Sequence, residues 1–340
     1  MNLDEATLAF HAEGGANVIY RMAENPDYLA RFRKTGAAQQ ASAADLYAFI
    51  ETLKPLLPTG AIVDMQLVPI PPAVLTSINA ELRAHDDDGR RDPKRAGLYL
   101  DEGETHALLV ESMLPVAAEG EHHRIASKVA SLSLSPADGS AMIEFKPKWL
   151  VQSPDAPANW RYCRTCALYR MRHSGDKPKA RSSRFCPLSL NDMAANEASV
   201  TRAIVPDAVD DVAGFSAAAL RAVVAAVLRQ SEIIPALRAV QVAKGVSLFT
   251  HAPEDVAALQ LAMAVRDCTL FVRIAPATDA RPGRLVAVVD GQAYAADHKL
   301  ADLDIKRADH RLAYWQSVER ELIDGGWYTT VDEAFPPCRP

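Results

Sequence analysis

Ser140-Ala141-Met142-Ile143-Glu144-Phe145-Lys146-Pro147-Lys148 is the stretch that decides how the second half of the chain is built. Met142, Ile143 and Phe145 make Ser140–Phe145 a β-strand. Residues two apart in a strand share a face, so Lys146 and Lys148 are expected to project together. Pro147 removes a backbone donor and marks an edge or a strand end. Two ammonium groups at a strand end form a small anion clamp. The plainer alternative is a solvated edge guarded by lysines.

Downstream of that strand, Arg161–Arg172 reads as a basic helix and Gly175–Arg184 as a polar basic loop. Phe215–Arg229 is an Ala-rich core helix capped by Ser216. A helix at Asp255–Val265 runs straight into a strand at Thr269–Ile274, and Leu285–Val289 is a further strand. Asp302–Lys306 is a short loop, and the helix Asp309–Ile323 is stopped by Gly325 and Gly326. Upstream, the glycine pair inside Leu8–Arg21 predicts strand, tight loop and returning strand, followed by a strand at Tyr28–Lys34. Ser42 with Asp45 forms a capping box for a helix whose Leu46, Phe49, Ile50, Leu53 and Leu57 recur at helical spacing. Pro71–His85 is a second helix, Asp86–Arg95 a charged turn-rich loop, and His106–Leu114 a buried strand. The chain is α+β, with a β-rich N-terminal part and a helix-rich C-terminal part that fit two lobes and a cleft.

Composition bounds the function. The 340 residues carry 37 Lys+Arg against 43 Asp+Glu, a net charge of −6, with 49% hydrophobic and 24% charged residues. That is the balance of a globular protein. The first ten residues have acids where a secretory signal needs bases, and Ala217–Leu228 is too short and too interrupted by Arg221 to span a bilayer. A non-secreted protein with no membrane partner is expected. Five cysteines, an odd and sparse set, suit a reducing compartment. The acidic bulk argues against a nucleic-acid coat. Yet residues 144–184 hold ten Lys/Arg and three acids, a local charge of +7 that leaves −13 on the remainder.

Three more features carry chemistry. Gly14-Gly15-Ala16-Asn17 leaves backbone N–H groups open to phosphate oxygens, although most Gly-Gly pairs are simple turns. Asp267 lies where a helix gives way to an apolar strand, and Asp302-Leu303-Asp304-Ile305-Lys306 spaces polar residues at i, i+2 and i+4. Carboxylates at strand ends beside a lysine suit Mg²⁺ and phosphate; the alternative is a helix cap and surface charge. Cys163 and Cys166 are half a zinc site, which His173 and Cys186 could complete; Cys268 and Cys338 read as structural.

The order of these motifs resembles the inositol-pentakisphosphate 2-kinases. The matching segments are 14–18 (GGANV), 31–34 (RFRK), 144–148 (EFKPK), 163–166 (CRTC), 185–190 (FCPLSL), 266–270 (RDCTL) and 302–306 (DLDIK), in a chain otherwise diverged in the manner of a fungal member. The resemblance implies a two-lobed, protein-kinase-like inositol polyphosphate kinase fold. A β-rich N-lobe would span residues 1–112 and a larger mixed C-lobe residues 113–340. It implies transfer of the ATP γ-phosphate to the axial 2-hydroxyl of inositol pentakisphosphate, giving phytate, in the nucleus or cytoplasm and as a monomer. By position, Gly14, Gly15, Ala16, Asn17 and Arg31 would cover the ATP phosphates, and Glu111–Met113 would form the adenine hinge. Asp267 would be the base and Asp302 the Mg²⁺ ligand. Lys146, Lys148, Arg172, Lys306, His310 and Tyr314 would hold substrate phosphates, with Lys94 or Arg95 closing from the N-lobe. Ala12, the 167–169 run and His310 depart from the family's usual residues, and a paired-asparagine motif near Arg229 is missing. The competing readings are a kinase-like inositol polyphosphate sensor without turnover and a zinc-stabilised RNA-binding module.

Overall fold

The computed structural model describes residues 3, 6–34, 41–114, 122–174, 185–250, 256–277, 285–306, 308–333 and 335–338, with the backbone alone at 285, 286, 309 and 310. The expected basic loop at 175–184 lies outside them. The chain divides into two compact units, Met1–Pro55 with Val63–Ser112 and Leu56–Ile62 with Met113–Pro340. No described helix is long and apolar enough to cross a membrane.

In the first unit, β1 (Leu8–Glu13), β2 (Asn17–Met22) and β3 (Tyr28–Arg33) form an antiparallel meander. After α1 (Ala43–Leu53) come β4 (Met65–Pro69), α2 (Pro72–Asp87) and β5 (His106–Glu111), giving the sheet order β1-β2-β3-β5-β4. Strict alternation in β2 and β3 buries Val18, Tyr20, Met22, Ala30 and Phe32 on one face, against Leu75, Ile78 and Leu82 of α2. The capping box is as expected: Asp45 N–H donates to Ser42 Oγ at 3.0 Å, and Ser42 N–H to the Asp45 carboxylate at 3.0 Å. The charged loop is turn-rich as expected, and one of its arginines is drawn inside. Arg91 is buried, donating to Glu13, Asp86 and the Leu98 carbonyl.

The second unit is the larger, mixed part expected: it carries the helices that follow α2 and also the larger sheet. Its strands are β6 (His123–Ala126), β7 (Ala130–Ser135), β8 (Ser140–Phe145), then β9 (Thr269–Pro276), β10 (Leu285–Val289) and β11 (Gln292–Ala301). Their order is β10-β11-β9-β8-β7-β6, antiparallel throughout. The helices α3 (Arg164–Arg172), α4 (Met193–Ile204), α5 (Ala217–Gln230), α6 (Ile233–Ala243) and α7 (Val256–Val265) intervene, and α8 (Ala308–Asp324) follows. β8 is therefore an interior strand, and the solvated-edge reading of its lysines fails. Gly139, at φ +67°, makes the β7–β8 turn; a Cβ there would meet Pro276 at 3.2 Å.

Candidate active site

Antiparallel pairing brings three strand ends together. Phe145 of β8 lies opposite Leu270 of β9, and Thr269 of β9 opposite Ala301 of β11. The end of β8, the start of β9 and the end of β11 thus share one rim of the sheet. Lys146 and Lys148, Asp267, and Asp302 with Lys306 are the residues that follow or precede those ends.

The lysines converge on Asp267, though not through strand pleat. β8 stops at Phe145, and Lys148 takes a left-handed backbone at φ 59°. Lys148 Nζ lies 2.7 Å from Asp267 Oδ1, Lys306 Nζ 3.2 Å from Oδ2, and Lys146 Nζ 3.6 Å from Oδ1. Lys146 also donates to the Asp267 carbonyl at 2.9 Å. Burial opposes the Asp267 charge, but the Lys148 hydrogen bond and the charges of Lys148, Lys306 and Lys146 outweigh it, so the carboxyl sits below its ordinary pKa. Asp302 is also left-handed, at φ 55°. Non-glycine residues in that region cost on the order of 1–3 kcal/mol each, and such strain gathers where a site needs it.

A glutamine that the sequence did not single out holds this geometry. Gln241 of α6 is buried, and its amide accepts from Leu150 N–H at 2.8 Å while donating to the carbonyls of Lys148 and Val265, both at 2.9 Å. It ties the lysine loop to the end of α7, two residues before Asp267.

Around Asp267, Lys148 and Lys306 opens a cavity of about 440 Å³, walled by α3, α8 and the end of α7. Arg172 and Tyr314 line it, with Arg172 Nη2 3.3 Å from the Tyr314 hydroxyl. Two arginines missed in the sequence stand on Trp149, Arg164 at 4.5 Å and Arg266 at 4.0 Å from the ring centroid. Arg164 is neutralised by buried Glu319 at 2.7 Å. Arg266 is not. It is only 2% exposed, and among the described residues its Nε and Nη2 have no hydrogen-bond partner. Burial, then the charge of Arg164, pulls it down to about 10, so it remains a cation at neutral pH.

The other expected residues lie as follows. Gly14, Gly15 and Ala16 form the β1–β2 turn, with Gly14 N–H bonded to the carbonyl of Asn17, the first residue of β2, at 2.9 Å. Neither glycine has positive φ and a Cβ on Gly15 would touch nothing within 4 Å, so the turn itself does not demand them. Its foot is fixed by Glu13, which pairs with Lys34 at 2.5 Å and Arg91 at 2.7 Å. Arg31 is in β3, flanked by Ile19 and Leu108. Glu111 ends β5 and accepts from Asp64 N–H at 2.9 Å; Met113 opens the second unit's main segment. Arg95 lies in a turn of the first unit, and Lys94 beside it is exposed. The His310 side chain is outside the described residues. Asp302 is exposed and accepts from Thr269 Oγ1 at 2.6 Å, which leaves hard carboxylate oxygen of the kind Mg²⁺ shares with phosphates.

The cysteines gather otherwise than expected. Cys163, Cys166, Cys186 and Cys338 place their sulfurs within 4.8 Å of one another, a group that could hold a metal. His173 instead stacks on Tyr169 at 4.1 Å between ring centroids, and Cys338 takes the fourth place. Cys268 is structural: burial pushes its thiol up to about 12.

A carboxylate held among three ammonium groups, in a cavity walled by arginines, is the apparatus of a phosphotransferase with a polyanionic acceptor. The sequence profile of the inositol-pentakisphosphate 2-kinases matches residues 10–321, and the chain belongs to that family. The inositol-pentakisphosphate 2-kinase of Yarrowia lipolytica is 29% identical over 321 residues, covering 93% of this chain and 90% of the relative.

Proposed function

We propose that the chain transfers the γ-phosphate of ATP to the axial 2-hydroxyl of inositol pentakisphosphate, with phytate as product. The observation that carries this reading is Asp267 caged by Lys146, Lys148 and Lys306. Phosphoryl transfer needs positioning and positive charge far more than covalent help.

In the free protein the lysines are engaged with Asp267 and hold its carboxyl too acidic for a good base. An incoming pentakisphosphate offers those ammonium groups stronger partners. As they turn to phosphates, the Asp267 carboxylate loses its cations, its basicity rises, and it is left facing the one hydroxyl of the substrate. It then takes that proton as the oxygen attacks the γ-phosphorus in line, the bond from that phosphorus to the bridging oxygen breaks, and ADP leaves with the electron pair. Arg172, Arg266, His310 and Tyr314 would hold the other phosphates, with Arg95 or Lys94 contributing from the first unit. Gly14, Gly15, Ala16, Asn17 and Arg31 would cover the ATP phosphates, and Glu111–Met113 would meet adenine. Asp302 would hold Mg²⁺, which when bound neutralises charge on the transferring group.

Steady-state turnover of Asp267→Asn tests this. The expected loss in kcat is about 10²–10⁴-fold in a folded protein. Turnover equal to that of the unaltered chain would remove Asp267 from the role of base.

A further inference from the structure

We propose that Thr269, the first residue of β9, is a positioning residue that presents Asp302 to the divalent cation through a single oxygen and so favours Mg²⁺ over Ca²⁺. The inference rests on the reading of Asp302 as the Mg²⁺ ligand and adds the group that sets how it binds.

Antiparallel pairing puts the two residues within reach. Thr269 lies opposite Ala301, the last residue of β11, and Asp302 follows directly. The Thr269 hydroxyl donates to Asp302 Oδ2 at 2.6 Å, since an ionised carboxylate can only accept. Thr269 is 4% exposed, so its β-branched side chain has little freedom to turn away. Asp302 is exposed, yet its backbone is clamped between buried Ala301 and buried Leu303. Its φ of 55° is one that aspartate adopts more readily than most residues. Backbone and hydroxyl together fix where the carboxylate points.

The two carboxylates on this rim of the sheet are treated in opposite ways. Asp267 meets three lysines, whereas among the described residues no cation pairs with Asp302 and its partner is a neutral hydroxyl. An ammonium group would compete with a metal for the charge; a hydroxyl orients the carboxylate and leaves the charge in place. Thr269 stands two residues after Asp267, so one short segment carries the proposed base and orients the metal ligand.

Engaging Oδ2 bears on the choice of ion. Mg²⁺ demands near-octahedral contacts at about 2.0–2.1 Å, which the narrow bite of a two-oxygen carboxylate does not fit. Ca²⁺ binds at about 2.3–2.6 Å in flexible geometry and readily takes both oxygens. With Oδ2 held by Thr269, Oδ1 is the oxygen offered. The carboxylate is preset for the contact Mg²⁺ makes, and Ca²⁺ loses its second oxygen.

Titration of Mn²⁺, a paramagnetic stand-in for Mg²⁺, into the full chain with an unhydrolysable ATP analogue reads the site without turnover. By electron paramagnetic resonance, Thr269→Val should bind Mn²⁺ about 10–100-fold more weakly, the usual effect of losing a group that orients a metal ligand. Thr269→Ser keeps the hydroxyl and should stay close to the unaltered chain. Ca²⁺ should compete with Mn²⁺ more effectively in the valine variant. Calorimetric affinity for inositol pentakisphosphate without metal should be the same in all three, which a general loss of structure would not allow. If Thr269→Val does not fold, Thr269→Ala takes its place. Asp302→Asn separates this inference from the reading beneath it. Mn²⁺ binding that is lost in Asp302→Asn but intact in Thr269→Val overturns the positioning role alone. Binding intact in Asp302→Asn removes Asp302 as the ligand, and this inference with it.

Discussion

Two carboxylates in this protein each hold more than one cation, and they differ in what is left over. The side chain of Glu13, at the foot of the glycine turn, is 3% exposed and paired with Lys34 and with Arg91, which also pairs with Asp86. Two positive and two negative groups close on themselves in a buried cluster. The Asp267 side chain is 41% exposed and meets three lysines, so that among the described residues this group carries two more positive than negative charges at the mouth of a cavity. A closed network holds a fold; an open one waits for a ligand. The pair on Trp149 repeats the lesson, with Arg164 saturated by Glu319 and Arg266 carrying donors that no described residue satisfies.

The largest effect expected on this contrast is in the closed network. Glu13→Gln leaves Lys34 and Arg91 short of an anion in a buried site, and the loss of unfolding free energy in urea should be about 3–5 kcal/mol. The pH dependence follows. Burial works against the Glu13 charge, but the Arg91 and Lys34 bonds lower its pKa below the ordinary value of about 4.3. Its contribution is complete above that value and is lost as pH falls through the lower folded value. The acid limb of the stability curve should therefore flatten in the variant. A neutral substitution with no change in stability or acid limb would show that the cluster is not closed.

A smaller effect is expected at Gln241. Gln241→Leu leaves three buried backbone groups without partners, about 2–3 kcal/mol less stable, and it should lower kcat because Lys148 and Asp267 lose their common tie. Equal kcat in the folded variant would deny the positioning role. The smallest and sharpest case is Arg266→Met. An unpaired buried cation contributes little to folding, so thermal stability should hold, while KM for the inositol phosphate rises about tenfold. A large drop in stability with unchanged KM would make Arg266 a structural residue instead.

Much of this was legible locally. The capping box of α1, the Ser216 cap of α5, the strand ending in EFKPK and the helix-to-strand junction at Asp267 are written in residues a few positions apart. What escaped depends on distant partners. Gln241 meets groups 24 to 93 residues away, and Cys338 meets Cys163 across 175. Arg91 sits in a run of charges that reads only as a turn-rich loop, and only the fold sets Glu13 against it. β7 was hidden because Ser133 and Ser135 are buried, so its Ser/Leu alternation does not separate inside from outside. β11, with four alanines and only Tyr294 and Leu300 as large apolar residues, is a strand because β9 pairs with it along most of its length.

The central claim is that the three lysines engage Asp267 only until a polyphosphate arrives. Calorimetric titration of inositol pentakisphosphate into Asp267→Asn and into the unaltered chain tests it most directly. With the competing carboxylate charge removed, the variant should bind the substrate as tightly or more tightly while failing to turn it over. Weaker binding in a folded variant would mean that Asp267 is part of what recognises the substrate, and would contradict the account.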